Sequence, residues 1–176
     1  HIILQVVSRT ENSARPLGEL LGCPWTTTLG DAAGALSDAQ IVVVAVTDGL
    51  IAEVAETIST MISPKCVMIH LSGATPLEAL RPPCAVIWPI RSFNPKAGSV
   101  PLEGTPTVIE ASEAEAFLLA TELASAWQGE IAEASGEQRS AAHLAAVMAD
   151  NYANHMLAEA PVSYTHLRAH ETTYDL

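Results

Sequence analysis

Apolar residues in this chain fall into short continuous runs that alternate with stretches of helical spacing. Ile2 to Val7 is rich in β-branched residues, ends in Ser8-Arg9-Thr10, and predicts a buried strand. Glu11 to Leu21 has a helical pattern, with Pro16 either in its first turn or at a kink, and Gly22 supplies a stop. Trp25 to Thr28 suits a short edge strand, and Ile41 to Val46 is the clearest buried strand. Asp48 is then a candidate N-cap for a helix over Leu50 to Ile62, whose Ile51, Val54, Ala55, Ile58 and Ile62 share one face. Ser63-Pro64 ends it, and Cys66 to Ile69 is the next strand, running into His70-Leu-Ser-Gly-Ala74. Pro76 to Leu80 predicts a short helix, Ala85 to Trp88 a strand, and Pro89 to Pro101 a loop rich in Pro, Gly, Ser and Asn. Beyond it lie a strand at Thr107 to Glu110, a helix over Glu113 to Trp127 stopped by Gly129, and a long helix from Glu137 to about Ala160.

Strand, helix, strand, helix, strand at this spacing is a βαβ series, so a parallel sheet with right-handed crossovers is expected. Composition sharpens that picture. The 176 residues are 49% hydrophobic but only 5% aromatic, so the core must be built from Ala, Val, Leu and Ile, as suits parallel strands covered by small-residue helices. The expected organisation is a partial dinucleotide-binding domain over residues 1–100 and the start of a helical second domain over 101–160.

Charge excludes one class of partner. With 8 Lys+Arg against 20 Asp+Glu the net charge is −12 and basic residues form no cluster, which argues against nucleic-acid binding. Cys23, Cys66 and Cys84 are widely spaced and odd in number, so they read as small buried residues of a reduced compartment, not as disulfide or zinc ligands. The longest apolar run, Ile41 to Val46, is too short to span a bilayer, and the cytoplasm is the default location. No metal site is expected. The run from Pro161 to Thr172 resembles the translation of a transposase-type sequencing adapter, so residues 161–176 are expected to be a non-native tail; an ordinary polar tail is the other reading.

Several segments in register resemble one family. They are Ala45-Val-Thr-Asp48, His70-Leu-Ser-Gly73, Trp88-Pro-Ile-Arg-Ser-Phe93, Thr105 to Ala111, Gly136-Glu-Gln-Arg139, His143 to Val147 and Asn151-Tyr-Ala-Asn-His155. Their order and separation are similar to the Rossmann-like, NADP-dependent oxidoreductase-like family carrying the domain of unknown function 2520. Its wider relatives include pyrroline-carboxylate reductases and deazaflavin-dependent NADP reductases. The resemblance implies a dinucleotide-binding sheet, NADP as cofactor, a helical second domain that pairs two subunits as a homodimer, and no particular substrate. One departure is large. Such proteins open with a strand and a G-x-G-x-x-G turn that brings backbone to the pyrophosphate, and no such run occurs in this chain. The chain therefore reads as truncated at both ends, with strands Ile2 to Val7 and Ile41 to Val46 deprived of the strand between them. It is expected to bind NADP poorly, to fold poorly and to be inactive by itself.

Candidate site residues follow from this frame, each with a plainer alternative. Ser8, Arg9 and Thr10 close the strand where an acid would select NAD; hydroxyls and an arginine suit the 2′-phosphate of NADP, or they are a solvated strand end. Val46, Thr47 and Asp48 follow the strand that borders the cofactor crevice, although Asp48 also suits a purely capping role. Ser72 and Gly73 offer a hydroxyl and a tight turn near the nicotinamide end, while His70 suits a core histidine. Arg91, with Ser92, is positioned to clamp an anionic substrate or to pair with surface carboxylates; Trp88 and Phe93 read as packing. Arg139, His143, Val147, Asn151 and His155 recur every four residues and form one helical stripe. The resemblance implies that this helix lines the cleft, making His143 the candidate proton donor and Asn151 its partner on a substrate oxygen or nitrogen; a solvated or dimer-facing stripe is the alternative. The expected function is NADP-dependent oxidation or reduction of a small, anionic metabolite. A non-catalytic dinucleotide-binding sensor or scaffold is the second hypothesis.

Overall fold

The computed structural model describes residues 2–93 and 101–171; for Asn154 and residues 156–171, inside the last helix, only the backbone is described. In chain order the elements are β1 (Val6–Val7), α1 (Glu11–Leu21), β2 (Trp25–Thr26), α2 (Ala33–Asp38), β3 (Ile41–Val44) and α3 (Ile51–Ser59). They continue with β4 (Val67–His70), β5 (Cys84–Pro89), β6 (Thr107–Ala111), α4 (Ala114–Ser125), β7 (Ile131–Glu133) and α5 (Gly136–Glu171). Pro16 sits inside α1 and not in its first turn.

Five strands form one sheet in the order β3-β4-β5-β6-β7. β3, β4 and β5 are mutually parallel, as the βαβ pattern predicts. β6 departs from it and runs antiparallel to β5, with Pro89 paired to Thr107. The sheet then continues through β7, parallel to β6. It therefore does not stop near residue 100, where the Pro- and Gly-rich loop suggests a domain boundary: the apolar faces of β6 and β7 complete the layer that α4 covers.

Register decides which side chains share a face. Successive residues alternate, so His70, Val86 and Glu110, paired across β4, β5 and β6, lie in one row on one face. That face carries two apolar clusters. Val44, Met68 and Cys84 pack with Ile51, Ala55 and Ile58 of α3, while Val86, Trp88 and Val108 pack with Ala142 and Ala146 of α5. The other face sets Val67, Ile69, Ala85, Ile87 and Ile109 against Ala116, Ala120 and Ala124 of α4. Alanines recurring every four residues let the helix lie close to the sheet. Cys66 and Cys84 are buried in this core, and burial pushes both thiols up, which leaves them unreactive packing residues.

Among the described residues β1 pairs only with β2, and this two-stranded sheet shares no ladder with the larger one. The predicted six-residue strand shrinks to Val6–Val7, leaving Ile2, Ile3 and Leu4 exposed. Backbone polar groups need partners as well as apolar side chains, and β2 offers only two residues. The N-terminus of α5 is secured by reciprocal capping: Ser135 Oγ accepts from the Gln138 N–H at 3.3 Å, and Gln138 Oε1 accepts from the Ser135 N–H at 2.9 Å. From there α5 runs past Ala160 to Glu171. Among the described residues no helix is long and apolar enough to cross a membrane.

Candidate functional site

Because β3, β4 and β5 are parallel, their C-terminal ends share one edge of the sheet, and three segments singled out from sequence emerge there: Val46 to Asp48, Ser72-Gly73, and Arg91-Ser92. Val46, Thr47 and Asp48 are exposed just beyond β3. Asp48 opens a short 3-10 turn whose N-cap is Thr47, and Leu50 is the N-cap of α3, so Asp48 does not hold the expected N-cap position. Its charge instead acts on His70 at the end of the neighbouring strand.

The turn after β4 is built from its own side chains. His70 is fully buried, and its Nδ1 accepts the Ser72 N–H at 3.2 Å, which assigns the proton of a neutral ring to Nε2. Burial, reinforced by the positive charge of Arg139, lowers its pKa to about 4. Ser72 Oγ accepts the N–H groups of Ala74 at 3.1 Å and Thr75 at 2.9 Å, so its oxygen is committed to the turn and its O–H remains the group it can offer a ligand. Gly73 follows, and there glycine is required. A Cβ at this position would lie 2.6 Å from His143 Nδ1 and 2.6 Å from Trp88 Cε2.

His143 reaches that turn from the second turn of α5. Its ring stands edge-on to Trp88, centroids 5.3 Å apart and planes at 73°. Its Nδ1 is buried without a hydrogen-bond partner, so Nε2 is the nitrogen left to face a ligand. Gly73→Ala should therefore cost about 1–3 kcal/mol of stability by overpacking and push His143 off the indole. Gly49→Ala, where a Cβ would meet open space, is the control. Equal melting temperatures for the two variants would contradict this reading.

Behind the turn lies a polar group that sequence reasoning left unassigned. Arg139, one turn before His143, has no exposed surface; its Nε donates to Glu110 Oε2 at 2.8 Å, and its Nη1 donates to the carbonyls of Gly73 at 2.7 Å and Ser72 at 3.3 Å. A Cβ on Gly136 would lie 2.9 Å from Glu110 Oε1, so glycine leaves room for the carboxylate beside the helix N-terminus. A cleft of about 390 Å³ opens alongside, lined by Pro76, Leu77, Glu78, Glu110, Glu137 and Arg139 among others. The available signal was a lone acid in the apolar run Thr107-Val-Ile-Glu110 together with an arginine on a helix rich in alanine.

Other expected site residues stand apart. Asn151 is exposed and eight residues beyond His143, roughly 12 Å along the helix at 1.5 Å per residue, so the two cannot hold one small atom between them. Arg91 is exposed at the sheet edge, and its Nη1 donates to the Pro101 carbonyl at 2.6 Å; Ser92 beside it is also exposed. Ser8 is half-buried and Arg9 and Thr10 are exposed, in the smaller sheet between β1 and α1. Among the described residues no three His, Cys, Asp or Glu side chains gather as a metal site would need.

A mixed sheet with a parallel core, helices on both faces and loops gathered at the strand ends is the Rossmann-type dehydrogenase fold. Residues 105–173 match the family described as Domain of unknown function (DUF2520). A structure from Bacteroides fragilis, described as a "putative NADP oxidoreductase", superposes with TM-score 0.76 at 31% identity, covering 94% of this chain and 63% of that one. A protein from Thermotoga maritima gives TM-score 0.71 at 27% identity, covering 92% of this chain and 61% of that one. Prephenate dehydrogenase from Aquifex aeolicus shares the fold at TM-score 0.67 and 13% identity, over 77% of this chain and 53% of that one. This chain thus spans about six tenths of the length of the first two. Among curated proteins nothing matches.

Proposed function

We propose that this chain supplies the cofactor-facing sheet edge and the first long helix of a cytoplasmic, NADP-dependent oxidoreductase acting on a small, anionic metabolite. The observation that carries the reading is the meeting of the Gly73 turn, at the end of a central strand, with His143 of α5. The similarity to a Bacteroides fragilis structure described as a "putative NADP oxidoreductase" supports it.

The residues present suit the two ends of the cofactor. Ser8, Arg9 and Thr10 offer hydroxyls and a guanidinium, without a carboxylate, for a 2′-phosphate. Ser72 offers its O–H, and Gly73 allows close backbone approach, at the nicotinamide end. Val46 to Asp48 border the crevice between them. No G-x-G-x-x-G run occurs in these 176 residues, so the pyrophosphate lacks that cradle and the chain alone is proposed to be inactive. When bound, NADP supplies or accepts the hydride.

His143 Nε2 then gives or takes the proton at the reacting oxygen or nitrogen. Arg91 keeps further N–H donors beyond its bond to Pro101 and clamps the substrate's anionic group, helped by Ser92. Asn151 contacts a part of the ligand remote from the reacting atom. Leu144, Met148 and Tyr152 are exposed along one face of α5, which favours pairing with a second copy in the assembled protein.

The test uses protein of the relatives' length, titrated with NADPH and then offered a panel of carboxylate-bearing carbonyls and imines. Saturable NADPH binding and substrate-dependent loss of nicotinamide absorbance are expected, with His143→Gln slowing turnover by on the order of 10²–10⁴-fold. Tight binding without turnover across the panel would favour the sensor or scaffold, and absence of NADPH binding would overturn both. The 176-residue chain should show no micromolar NADPH affinity.

A further inference from the structure

We propose that Arg139 is the positioning residue of this site, tying the Ser72–Gly73 turn to the first turn of α5 and so setting where His143 stands over Gly73. The inference deepens the oxidoreductase reading and rests on it for the role of His143. Its geometric basis is independent of that reading.

One guanidinium serves three elements. Glu110 on β6 takes its Nε, and the carbonyls of Ser72 and Gly73 beyond β4 share its Nη1. The other contacts of this part of α5 with the sheet include the apolar ones of Ala142 and Ala146 against Val86, Trp88 and Val108 and the edge-on contact of His143 with Trp88. Alanine methyls are small and non-directional, so they resist sliding or rotation of the helix weakly. A planar fork with fixed donor directions resists both. His143 follows Arg139 by four residues and shares its face, so the angle set by the guanidinium is inherited one turn later.

The same bonds act on the turn. In a trans peptide the C=O and N–H point in opposite directions. With the Ser72 carbonyl held on Arg139, the Gly73 N–H is directed to the other side of the turn. Arg139 thereby orients both partners of the encounter, the backbone of the turn and the imidazole over it, with no exposed surface of its own.

The test compares Arg139→Lys and the double variant Glu110→Gln/Arg139→Met with the parent chain. The double variant removes both charges, so that no carboxylate is stranded. NMR of the His143 ring reads its position through the ring-current displacement from Trp88, and thermal melting reads the fold. We expect the double variant to melt near the parent while His143 loses most of that displacement, and Arg139→Lys to retain part of it. Parent-like His143 signals in a folded double variant would overturn the proposal. If the double variant does not fold, Arg139→Lys decides, and parent-like signals there overturn it equally. Neither readout needs cofactor or substrate. A shifted His143 in a protein that binds no NADPH at the relatives' length would remove the oxidoreductase reading alone. Unshifted signals in an active enzyme would remove the positioning role alone.

Discussion

Glu110→Ala is expected to destabilise the protein by about 3–5 kcal/mol, the range for removing one partner of a buried ion pair. Arg139 is fully buried and the Glu110 side chain is only 13% exposed, so the pair is largely shielded from water. Truncating the carboxylate leaves a guanidinium held by two neutral carbonyls, with Nη2 already lacking a partner. Removing both charges together costs less, because an uncompensated buried ion is worse than a neutral pair, even though the Ser72 and Gly73 carbonyls lose their donor. Urea unfolding checks this: the midpoint should fall with an unchanged denaturant slope, and Glu110→Gln/Arg139→Met should recover most of the loss. A cost below about 1 kcal/mol, the range of exposed pairs, would show that solvent reaches Arg139 more freely than its burial implies.

This pair also marks the boundary of what could be read before the fold was known. Continuous apolar runs located β3 and β4, and the stretch from Glu113 to Trp127 stopped by Gly129 located α4. β7 escaped notice since Ile131–Glu133 is three residues long and only half-buried at best. The overestimate at Ile2 to Val7 has the opposite cause: strong intrinsic preference without enough backbone partners.

The site shows the same division. Four-residue spacing places Arg139, His143 and Asn151 on one stripe, but spacing carries no depth. The sheet covers the first turns of α5, so Arg139 is buried, His143 is half-buried and Asn151 is outside. That Gly73 would meet His143, and Arg139 would meet Glu110, depends on the antiparallel return of β6, a connection the loop composition disguised. Local chemistry at Ser72 and Gly73 was legible as a turn. Its opposite wall, the helix carrying His143, followed from the family resemblance and not from any local pattern.

Acid should reveal how strongly the turn depends on a neutral His70. The sign follows from its lowered pKa. Between about 4 and the ordinary value of 6.5 the unfolded chain binds a proton at this residue that the folded chain refuses. Stability from this group is therefore complete above 6.5, drains away as pH falls, and is exhausted near 4. The drop from 6.5 to about 4, at roughly 1.4 kcal/mol per tenfold change in proton affinity, corresponds to about 3.5 kcal/mol. The dominant cause is burial, with Arg139 second; the Pro76 backbone and Asp48 act in the opposite direction. Protonation would also cost the turn its anchor, since a charged imidazole cannot accept the Ser72 N–H at Nδ1. His70→Asn keeps an acceptor near the Nδ1 position and carries no titration. Urea unfolding at pH 7, 5.5 and 4.5 should show the parent losing about 2.5 kcal/mol more than this variant over that window. An NMR titration placing His70 between pH 6 and 7 would defeat the prediction, because the ring would then be gaining its proton without leaving the folded state.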